Sequence, residues 1–201
     1  MLKLVEENKI SDYIIGIDEV GRGTLAGPVV SAAVKLSKNF DSVYLNDSKK
    51  LNRSARETVY KKIIKTCEYQ LGIANVEEID KYNILQATLL SMSRAIDKFK
   101  LPSDYKIIVD GPWSFDKKNK NILPKIKGDS MYPSIAAASI IAKVYRDKLM
   151  LKLSKKFSKY HWDSNSGYGT KKHLQAIRNF GVTKHHRKSF APIYKILSLK
   201  K

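Results

Sequence analysis

Hydrophobic positions gather in five short segments, each bounded by glycine, proline or polar residues, and this pattern predicts β-strands. The predicted strands are residues 13–19, Pro28–Leu36, Tyr69–Val76, Tyr105–Gly111 and a short segment within residues 121–129. Because only a short glycine-containing turn separates the first two strands, we expect them to pair antiparallel. The fourth strand is apolar at almost every position before its end, which is typical of a strand buried on both faces.

Hydrophobic spacing of three to four residues between these segments predicts helices. A Ser-x-x-Glu capping box at Ser54 marks the start of the first helix, and Asn83 marks the start of the second. The longest helix should begin at Pro133, and the last should run from Thr170 to Gly181. Because strands precede most of the helices, the predicted fold class is α/β, with a mixed sheet and a helical C-terminal part.

A chain of 201 residues that is 43% hydrophobic can bury the core of one domain. We expect a single domain over residues 1–201, with an α/β core over about 1–150 and a helical part over about 151–201. The apolar runs are shorter than the ~18 residues that cross a bilayer, and the N-terminal residues lack the apolar centre of a signal peptide. We therefore expect a cytoplasmic protein. Cys67 is the single cysteine, which excludes an internal disulfide and a cysteine-based zinc cluster.

Basic residues are concentrated in the second half of the chain. The formal net charge is +19, and residues 101–201 hold 22 Lys and Arg against 6 Asp and Glu, whereas residues 1–100 hold 16 against 13. This distribution predicts a polyanionic partner, nucleic acid before a membrane surface. A genome that favours lysine codons would produce a similar composition, so charge alone leaves both explanations open.

Four acidic residues occupy unusual positions in this basic chain. Asp18 and Glu19 end the first predicted strand, Asp110 ends the buried fourth strand, and Asp129 precedes the longest helix. Clustered carboxylates repel one another unless a cation joins them, and oxygen ligands suit Mg²⁺ or Mn²⁺. Beside a phosphate backbone, such a site predicts two-metal phosphodiester chemistry. Each aspartate could instead form a turn or cap a helix, and the spacing alone leaves that alternative open.

Asp18 and Glu19 pose a geometric difficulty, because adjacent side chains in a regular strand point to opposite faces. A Gly-Arg-Gly sequence follows directly after Val20. We therefore expect the strand to lose its regular form at the two acids, so that both can reach one site.

Six blocks of sequence occur in the order found in ribonuclease HII, and the chain resembles that family over about residues 13–193. The blocks are "IIGIDEVGRGTLAGPVVSAAV", "LNDSKKL", "IIVDG", "IKGDSMYPSIAAASIIAKVYRD", "SGYGT" and "GVTKHHRKSFAPI". The resemblance implies a ribonuclease H-like fold, a five-stranded mixed sheet flanked by helices with a helical C-terminal extension. It also implies an endoribonuclease that hydrolyses the RNA strand of RNA/DNA hybrids. Such an enzyme nicks 5′ of single ribonucleotides embedded in duplex DNA and leaves 3′-hydroxyl and 5′-phosphate ends.

Carried onto this chain, the resemblance gives a set of four catalytic and metal-binding acids. They are Asp18, Glu19, Asp110 and Asp129. The implied cofactor is Mg²⁺ or Mn²⁺, with two ions when substrate is bound, and Asp18 is expected to bridge them. The type 3 ribonucleases H are the nearest alternative family, but they carry an additional N-terminal domain. Only 17 residues precede Asp18 here, and the fourth acid is Asp129 where that family usually has glutamate.

The resemblance also implies a set of substrate contacts. In the family, the Gly-Arg-Gly loop contacts the ribose 2′-hydroxyl, and the tyrosine of "SGYGT" packs on the sugar at the RNA–DNA junction. Three basic residues are candidates for phosphate contacts, with solvated surface charge as the alternative for each. The substrate-binding set is therefore Gly21, Arg22, Gly23, Lys49, Lys143, Arg146 and Tyr168.

The expected partner is nucleic acid, with no membrane and no accessory subunit, and the resemblance favours a monomer. The ending "APIYKILSLKK" lacks the sliding-clamp-binding peptide of some relatives, so we do not expect recruitment by that route. We expect His185 and His186 to pack internally or bind the nucleic-acid backbone.

Two rival interpretations are a non-catalytic protein that binds hybrid duplexes and a transposase-type DNA nuclease on the same fold. The acids oppose the first, and the Gly-Arg-Gly loop with "SGYGT" opposes the second.

Overall fold

A five-stranded mixed sheet forms the centre of the protein. The computed structural model describes residues 4–45 and 51–198. The strands are β1 (Ile14–Val20), β2 (Val29–Lys35), β3 (Glu68–Ala74), β4 (Lys106–Asp110) and β5 (Ile122–Lys125). Their order across the sheet is β3-β2-β1-β4-β5. β1, β2 and β3 pair antiparallel, whereas β4 pairs parallel with both β1 and β5, as the predicted mixed sheet requires.

The five predicted strands are all present, and the antiparallel pairing of the first two is confirmed. The third strand is shorter than predicted, because it ends at Ala74 and Asn75 begins a helix. The side chain of Asn75 accepts a hydrogen bond from the Glu78 backbone, and the Glu78 carboxylate accepts one from the Asn75 backbone. This reciprocal capping box supplies two of the hydrogen bonds that the first turn of a helix lacks.

Within residues 4–45 and 51–198, six α-helices surround or extend the sheet. They are α1 (Arg53–Thr66), α2 (Val76–Ile96), α3 (Pro133–Lys156), α4 (Trp162–Asn165), α5 (Lys171–Phe180) and α6 (Ala191–Ser198). The predicted start of the longest helix at Pro133 is confirmed, as are the limits of α5 between Thr170 and Gly181. The prediction that α5 is the last helix is wrong. α6 follows it and buries Ile193 against the C-terminal core.

Two helix starts differ from the prediction. Asn52, not Ser54, caps α1, because its side-chain oxygen accepts a hydrogen bond from the Ala55 backbone. The Glu57 carboxylate of the expected capping box instead binds the ammonium group of Lys148 on α3. Asn83 lies inside α2 at a kink with φ 67°, where its side chain caps the second half of the helix. Asn83, which predicts a helix start from its residue type, therefore caps the second half of one longer helix.

The core consists of layers on both faces of the sheet. On one face, α3 packs against β1 and β2 with α1 beside it, and on the other face α2 packs against β2 and β3. The run Ala136–Ala138 is fully buried, so the small side chains let the α3 backbone lie close to the sheet. Within the described ranges, no helix combines the length and the apolar character that crossing a bilayer requires.

The C-terminal helices form a separate apolar cluster beside the loop that connects β1 to β2. Leu25 and Ala26 of that loop pack with Met150, Trp162 and Ile177. The backbone N–H of Leu25 also donates to the carbonyl of Gly167 at 2.8 Å. The helical C-terminal part therefore fixes the position of the loop that follows the first two acids.

Candidate active site

The predicted acids lie at a fork between β1 and β4. The ladder between these parallel strands ends at the pair Ile17 and Val109, one step before Asp18 and Asp110. Beyond that step β1 remains paired with β2, while β4 remains paired with β5. The expectation that β1 loses its regular form at the acids is wrong, because the strand stays in register with β2 through Val20. The opening of the β1–β4 ladder, rather than an irregular strand, makes room beside the carboxylates.

Asp18 is one of two buried acids at the fork, with 6% of its surface exposed, and Asp129 is the other at 5%. Its carboxylate accepts hydrogen bonds from the Glu19 backbone N–H at 2.7 Å and from the Ser139 side chain on α3. Burial, followed by the charges of Glu19 and Asp110, raises the pKa of Asp18 well above its ordinary value. Burial also raises the pKa of Glu19, although Arg22 opposes this effect through a 3.2 Å ion pair.

Asp110 and Asp129 meet on the other side of the fork. The Asp110 carboxylate accepts hydrogen bonds from the backbone N–H groups of Gly128 at 2.7 Å and Asp129 at 3.4 Å. Asp129 belongs to a short 3₁₀ turn, Gly128–Ser130, directly before α3, and its side chain is buried. The structure thus brings residues from β1, β4 and the start of α3 to one end of the sheet.

A divalent cation fits this arrangement chemically. The charges of Glu19 and Asp110 disfavour ionisation of Asp18, and a cation with oxygen ligands removes that repulsion. In the described part of the chain, no three acidic, histidine or cysteine side chains are already close enough together to hold a metal ion by themselves. A divalent ion held here by one or two carboxylates would take its remaining oxygen ligands from water or substrate.

Two predicted contact residues, Arg22 and Tyr168, have accessible side chains. Arg22 is exposed, and its guanidinium reaches back to Glu19. Tyr168 is 44% exposed, and it follows Gly167, whose carbonyl binds the β1–β2 loop. The Lys143 ammonium lies 2.8 Å from the Asp147 carboxylate on the same helix, and Lys49 lies outside the described residues.

Arg146 does not occupy the predicted position on the surface. It is fully buried, and its guanidinium donates to the carbonyls of Pro28, Ala26 and Ser166 and to the hydroxyl of Thr24. The prediction of a direct phosphate contact is therefore wrong for this structure, because these protein acceptors already surround the side chain. Arg146 instead ties α3 to the β1–β2 loop.

Buried histidines hold the backbone of Tyr168. His173 lies 2.8 Å from the Tyr168 carbonyl through Nδ1, and its Nε2 accepts from the Trp162 indole at 3.0 Å. His186 extends the network, with its Nε2 3.2 Å from that of His173. Burial lowers the pKa of His186 to about 3, so this histidine is neutral at pH 7. Of the two roles expected for His186, internal packing or backbone binding, the structure shows internal packing.

Comparison with known proteins decides the family. The model of the family described as Ribonuclease HII matches residues 15–193. This chain belongs to the ribonuclease HII family. A Ribonuclease HII of Pelagibacter ubique (strain HTCC1062) is 52% identical over 184 residues, which cover 92% of this chain and 98% of that protein. Membership makes the protein a metal-dependent ribonuclease, a hydrolase that cuts phosphodiester bonds in RNA.

Solved structures confirm the ribonuclease H fold. The ribonuclease H2 of Pyrococcus horikoshii OT3 superposes with a TM-score of 0.77 at 24% identity, covering 92% of this chain and 97% of that one. A structure titled Bst-RNase HIII in complex with Mn²⁺ gives a TM-score of 0.71 at 21% identity, covering 94% of this chain and 70% of that one. At these identities the likeness concerns the fold alone.

Sequence reasoning missed Arg187, which contributes to the site by holding the Gly-Arg-Gly loop. Its buried guanidinium donates to the carbonyls of Gly21, Arg22 and Gly27 at 2.6 to 3.0 Å. Burial lowers its pKa to about 9, so it remains charged at neutral pH. The only signal in the sequence was its place in the block "GVTKHHRKSFAPI", because nothing local links it to a loop 160 residues earlier.

Replacing Arg187 with lysine should lower the free energy of unfolding by about 2–3 kcal/mol. Lysine keeps the positive charge but lacks the planar fork, so it leaves buried carbonyls of the Gly-Arg-Gly loop without a donor. Urea denaturation measures the change. Arg178→Lys on the exposed side of α5 is the matched control and should change stability by less than about 0.5 kcal/mol. Equal stability of the two variants would contradict the role of Arg187.

Proposed function

We propose that this protein hydrolyses the RNA strand of RNA/DNA hybrids and nicks duplex DNA on the 5′ side of single embedded ribonucleotides. The observation that carries the proposal is the direct junction of two features. The buried acids at the fork are followed within a few residues by a Gly-Arg-Gly loop that is held in shape by buried arginines. A carboxylate site suited to divalent ions thus adjoins a backbone surface suited to reading a sugar.

In this proposal four side chains hold two Mg²⁺ or Mn²⁺ ions: Asp18, Glu19, Asp110 and Asp129. Bound divalent ions would supply positive charge that acidifies a water molecule and stabilises the leaving oxygen, which gives 3′-hydroxyl and 5′-phosphate ends. The electrostatic interaction of Asp18 with both Glu19 and Asp110 supports a role for Asp18 in holding both ions. The Ser139 hydroxyl and the Gly128 backbone keep the carboxylates oriented, so little ordering remains when substrate arrives.

Two glycines of the loop differ in a way that supports recognition of the ribose. Gly21 has φ +96°, and a Cβ there would collide with Arg146, so the fold itself requires glycine. A Cβ at Gly23 would meet no protein atom within 4 Å, and its backbone angle is ordinary. The fold therefore does not require glycine at position 23. A bare backbone is useful there if a 2′-hydroxyl must approach it closely, and that group distinguishes RNA from DNA.

We propose a monomer that acts without an accessory subunit, as the resemblance to the family implies. The exposed ring of Tyr168 lies beside the Gly-Arg-Gly loop, where it can pack on the sugar at the junction. Arg22 and Lys143 are available for phosphates once they leave Glu19 and Asp147. Lys49 completes the proposed set. We also propose a cytoplasmic location, consistent with the single cysteine and the nucleic-acid substrate.

A DNA duplex that contains one ribonucleotide tests this function. We expect Mg²⁺-dependent nicking on the 5′ side of the ribonucleotide and no cutting of the same duplex made entirely of DNA, measured on denaturing gels. A protein that only binds hybrids would shift the duplex on a native gel without cutting it. A general DNA nuclease would cut both duplexes. Either result would contradict the proposal.

A further inference from the structure

Trp113 is an exposed tryptophan at the edge of the sheet that carries the acids. The chain has two tryptophans, and Trp162 is fully buried whereas Trp113 is 47% exposed. Trp113 follows Asp110 by three residues, which span at most about 10 Å. Because β1, β4 and β5 are parallel, their carboxyl ends lie along one edge, and Trp113 follows the end of β4 there. An indole exposed beside a nuclease centre is a candidate contact surface.

The segment that carries Trp113 is fixed rather than loosely attached. The Gly111 N–H donates to the Lys125 carbonyl at 3.0 Å, which ties the start of the loop to the end of β5. Phe115 packs into the core beneath the sheet, and the Ser114 hydroxyl donates to the Asp116 carbonyl at 2.8 Å. The loop therefore holds one aromatic ring inward and presents the other outward. A side chain that is already positioned loses little entropy when it binds a ligand.

The surroundings of Trp113 are basic. The loop over residues 111–121 contains three lysines and one aspartate, and two further lysines follow at the end of β5. The loop lysines are Lys117, Lys118 and Lys120, all exposed, and the others are Lys125 and Lys127. Aromatic side chains combined with lysines on one surface are typical of sites that follow a nucleic-acid backbone and pack against its nucleotides.

The strand order places Trp113 and Tyr168 on opposite sides of the acids. The Gly-Arg-Gly loop runs from β1 to β2, and Gly167 beside Tyr168 binds that loop. The loop of Trp113 runs from β4 to β5. Because β2 and β5 flank the β1–β4 pair, the fork lies between the two aromatic residues. Trp113 lies within about 10 Å of Asp110 along the chain. Nucleotides in a duplex are spaced ~3.4 Å apart, so this distance corresponds to about three nucleotides from the scissile phosphate.

We propose that Trp113 packs against a nucleotide of the bound duplex, on the β5 side of the acids and opposite Tyr168. The proposal rests on the proposed function, because it takes the acidic fork as the place where the scissile phosphate binds. It adds a contact on the second flank of that phosphate. Trp113 is then a determinant of how much duplex the enzyme needs on that flank.

Tryptophan fluorescence gives a direct test, using Asp110→Asn protein to prevent cutting. Adding a 20-base-pair RNA/DNA hybrid should quench and shift the emission of this protein by contact with Trp113. A second protein that also carries Trp113→Phe retains only buried Trp162, and its emission should not change. If the hybrid binds but leaves the emission of the first protein unchanged, Trp113 does not touch the duplex.

Binding measurements complete the test. Trp113→Ala should weaken hybrid binding about tenfold by fluorescence anisotropy, the effect of losing one aromatic–nucleotide contact, and Trp113→Phe by about twofold. Tyr194→Ala is the matched control, because it removes an aromatic ring that is 63% exposed on α6, and it should leave binding within about twofold. Shortening the duplex on the flank that reaches Trp113, beside a single ribonucleotide, should remove the difference in binding affinity between wild type and Trp113→Ala. Shortening the other flank should preserve it.

The outcomes separate this inference from the proposed function. Normal nicking by wild type, together with unchanged hybrid binding by Trp113→Ala, would overturn the role of Trp113 and leave the proposed function intact. A wild-type protein that neither binds nor cuts any ribonucleotide-containing duplex would overturn both. If Trp113→Ala weakens binding by the same factor whichever flank of the duplex is shortened, the proposed contact is also overturned.

Discussion

Asp110→Asn should reduce cleavage of a ribonucleotide-containing duplex by about a thousandfold while leaving duplex binding nearly unchanged. Asparagine retains the oxygen that accepts the Gly128 and Asp129 backbone hydrogen bonds, so the local fold should persist. It removes a negative charge from the fork, where divalent ions need carboxylate ligands. Losing several kcal/mol of transition-state stabilisation corresponds to a rate loss of this size.

Single-turnover cleavage and anisotropy binding measure the two effects separately. The matched control is Asp97→Asn, directly after α2. Its side chain is exposed. That variant should retain activity within about twofold, because surface substitutions away from a site have small effects. Full activity of Asp110→Asn would exclude the fork as the catalytic centre.

Asp18→Asn should inactivate the enzyme yet stabilise the fold in the absence of divalent ions. Asp18 is buried beside Glu19 and Asp110, so its negative charge opposes folding. Asparagine keeps the oxygen that accepts the Glu19 backbone hydrogen bond and removes the charge. We expect a gain of about 1–2 kcal/mol, or about 3–6 °C in the midpoint of thermal unfolding in EDTA.

The gain should depend on pH with a defined sign. The pKa of Asp18 is raised in the folded state, so the folded state binds a proton more tightly than the unfolded state. The destabilising effect of the charge is therefore absent below the unfolded pKa, near 4, and grows as pH rises towards the folded pKa. The advantage of Asp18→Asn over wild type should accordingly be full only above the folded pKa and should vanish below about pH 4.

Thermal unfolding with and without Mg²⁺ completes this prediction. A cation that binds only the folded protein stabilises it by mass action, so Mg²⁺ should raise the midpoint of wild type more than that of Asp18→Asn. Asp12→Asn is the control, since it changes an exposed aspartate just before the same strand and should shift the midpoint little. A lower midpoint for Asp18→Asn in EDTA would show that the carboxylate stabilises the fold, contrary to this account.

The strands and the longest helix could be predicted because their signals are local. Apolar runs before Asp110 and after Gly27, and a proline at the first helical position, specify structure within a few residues. The cap of α1 and the start of α2 were misplaced because several polar residues compete for each first turn. Asn52 and Asn75 make those caps with their side-chain oxygens, and a pattern of residue types does not rank the candidates.

The candidate site could likewise be predicted only in part from the sequence. The sequence alone identified Asp18, Glu19, Asp110 and Asp129 as acids in unusual positions, because each stands out against a basic chain at the end of an element. It could not show how adjacent residues of one strand share a site, and the expectation of an irregular strand was wrong. The opening between β1 and β4 solves that problem, and it depends on how two distant strands pair.

The buried arginines show most clearly what only the tertiary structure decided. From the sequence, Arg146 was a surface cation and Arg187 had no assigned role, since charge usually predicts exposure. In the folded protein both lie beneath the Gly-Arg-Gly loop, where carbonyl oxygens from several segments bind their guanidinium groups. The sequence determined which residues are candidates for the chemistry, because those are set by residue type and local position. Only the folded chain decided which residues hold them in place, because long-range hydrogen bonds depend on the packing of elements that are distant in sequence.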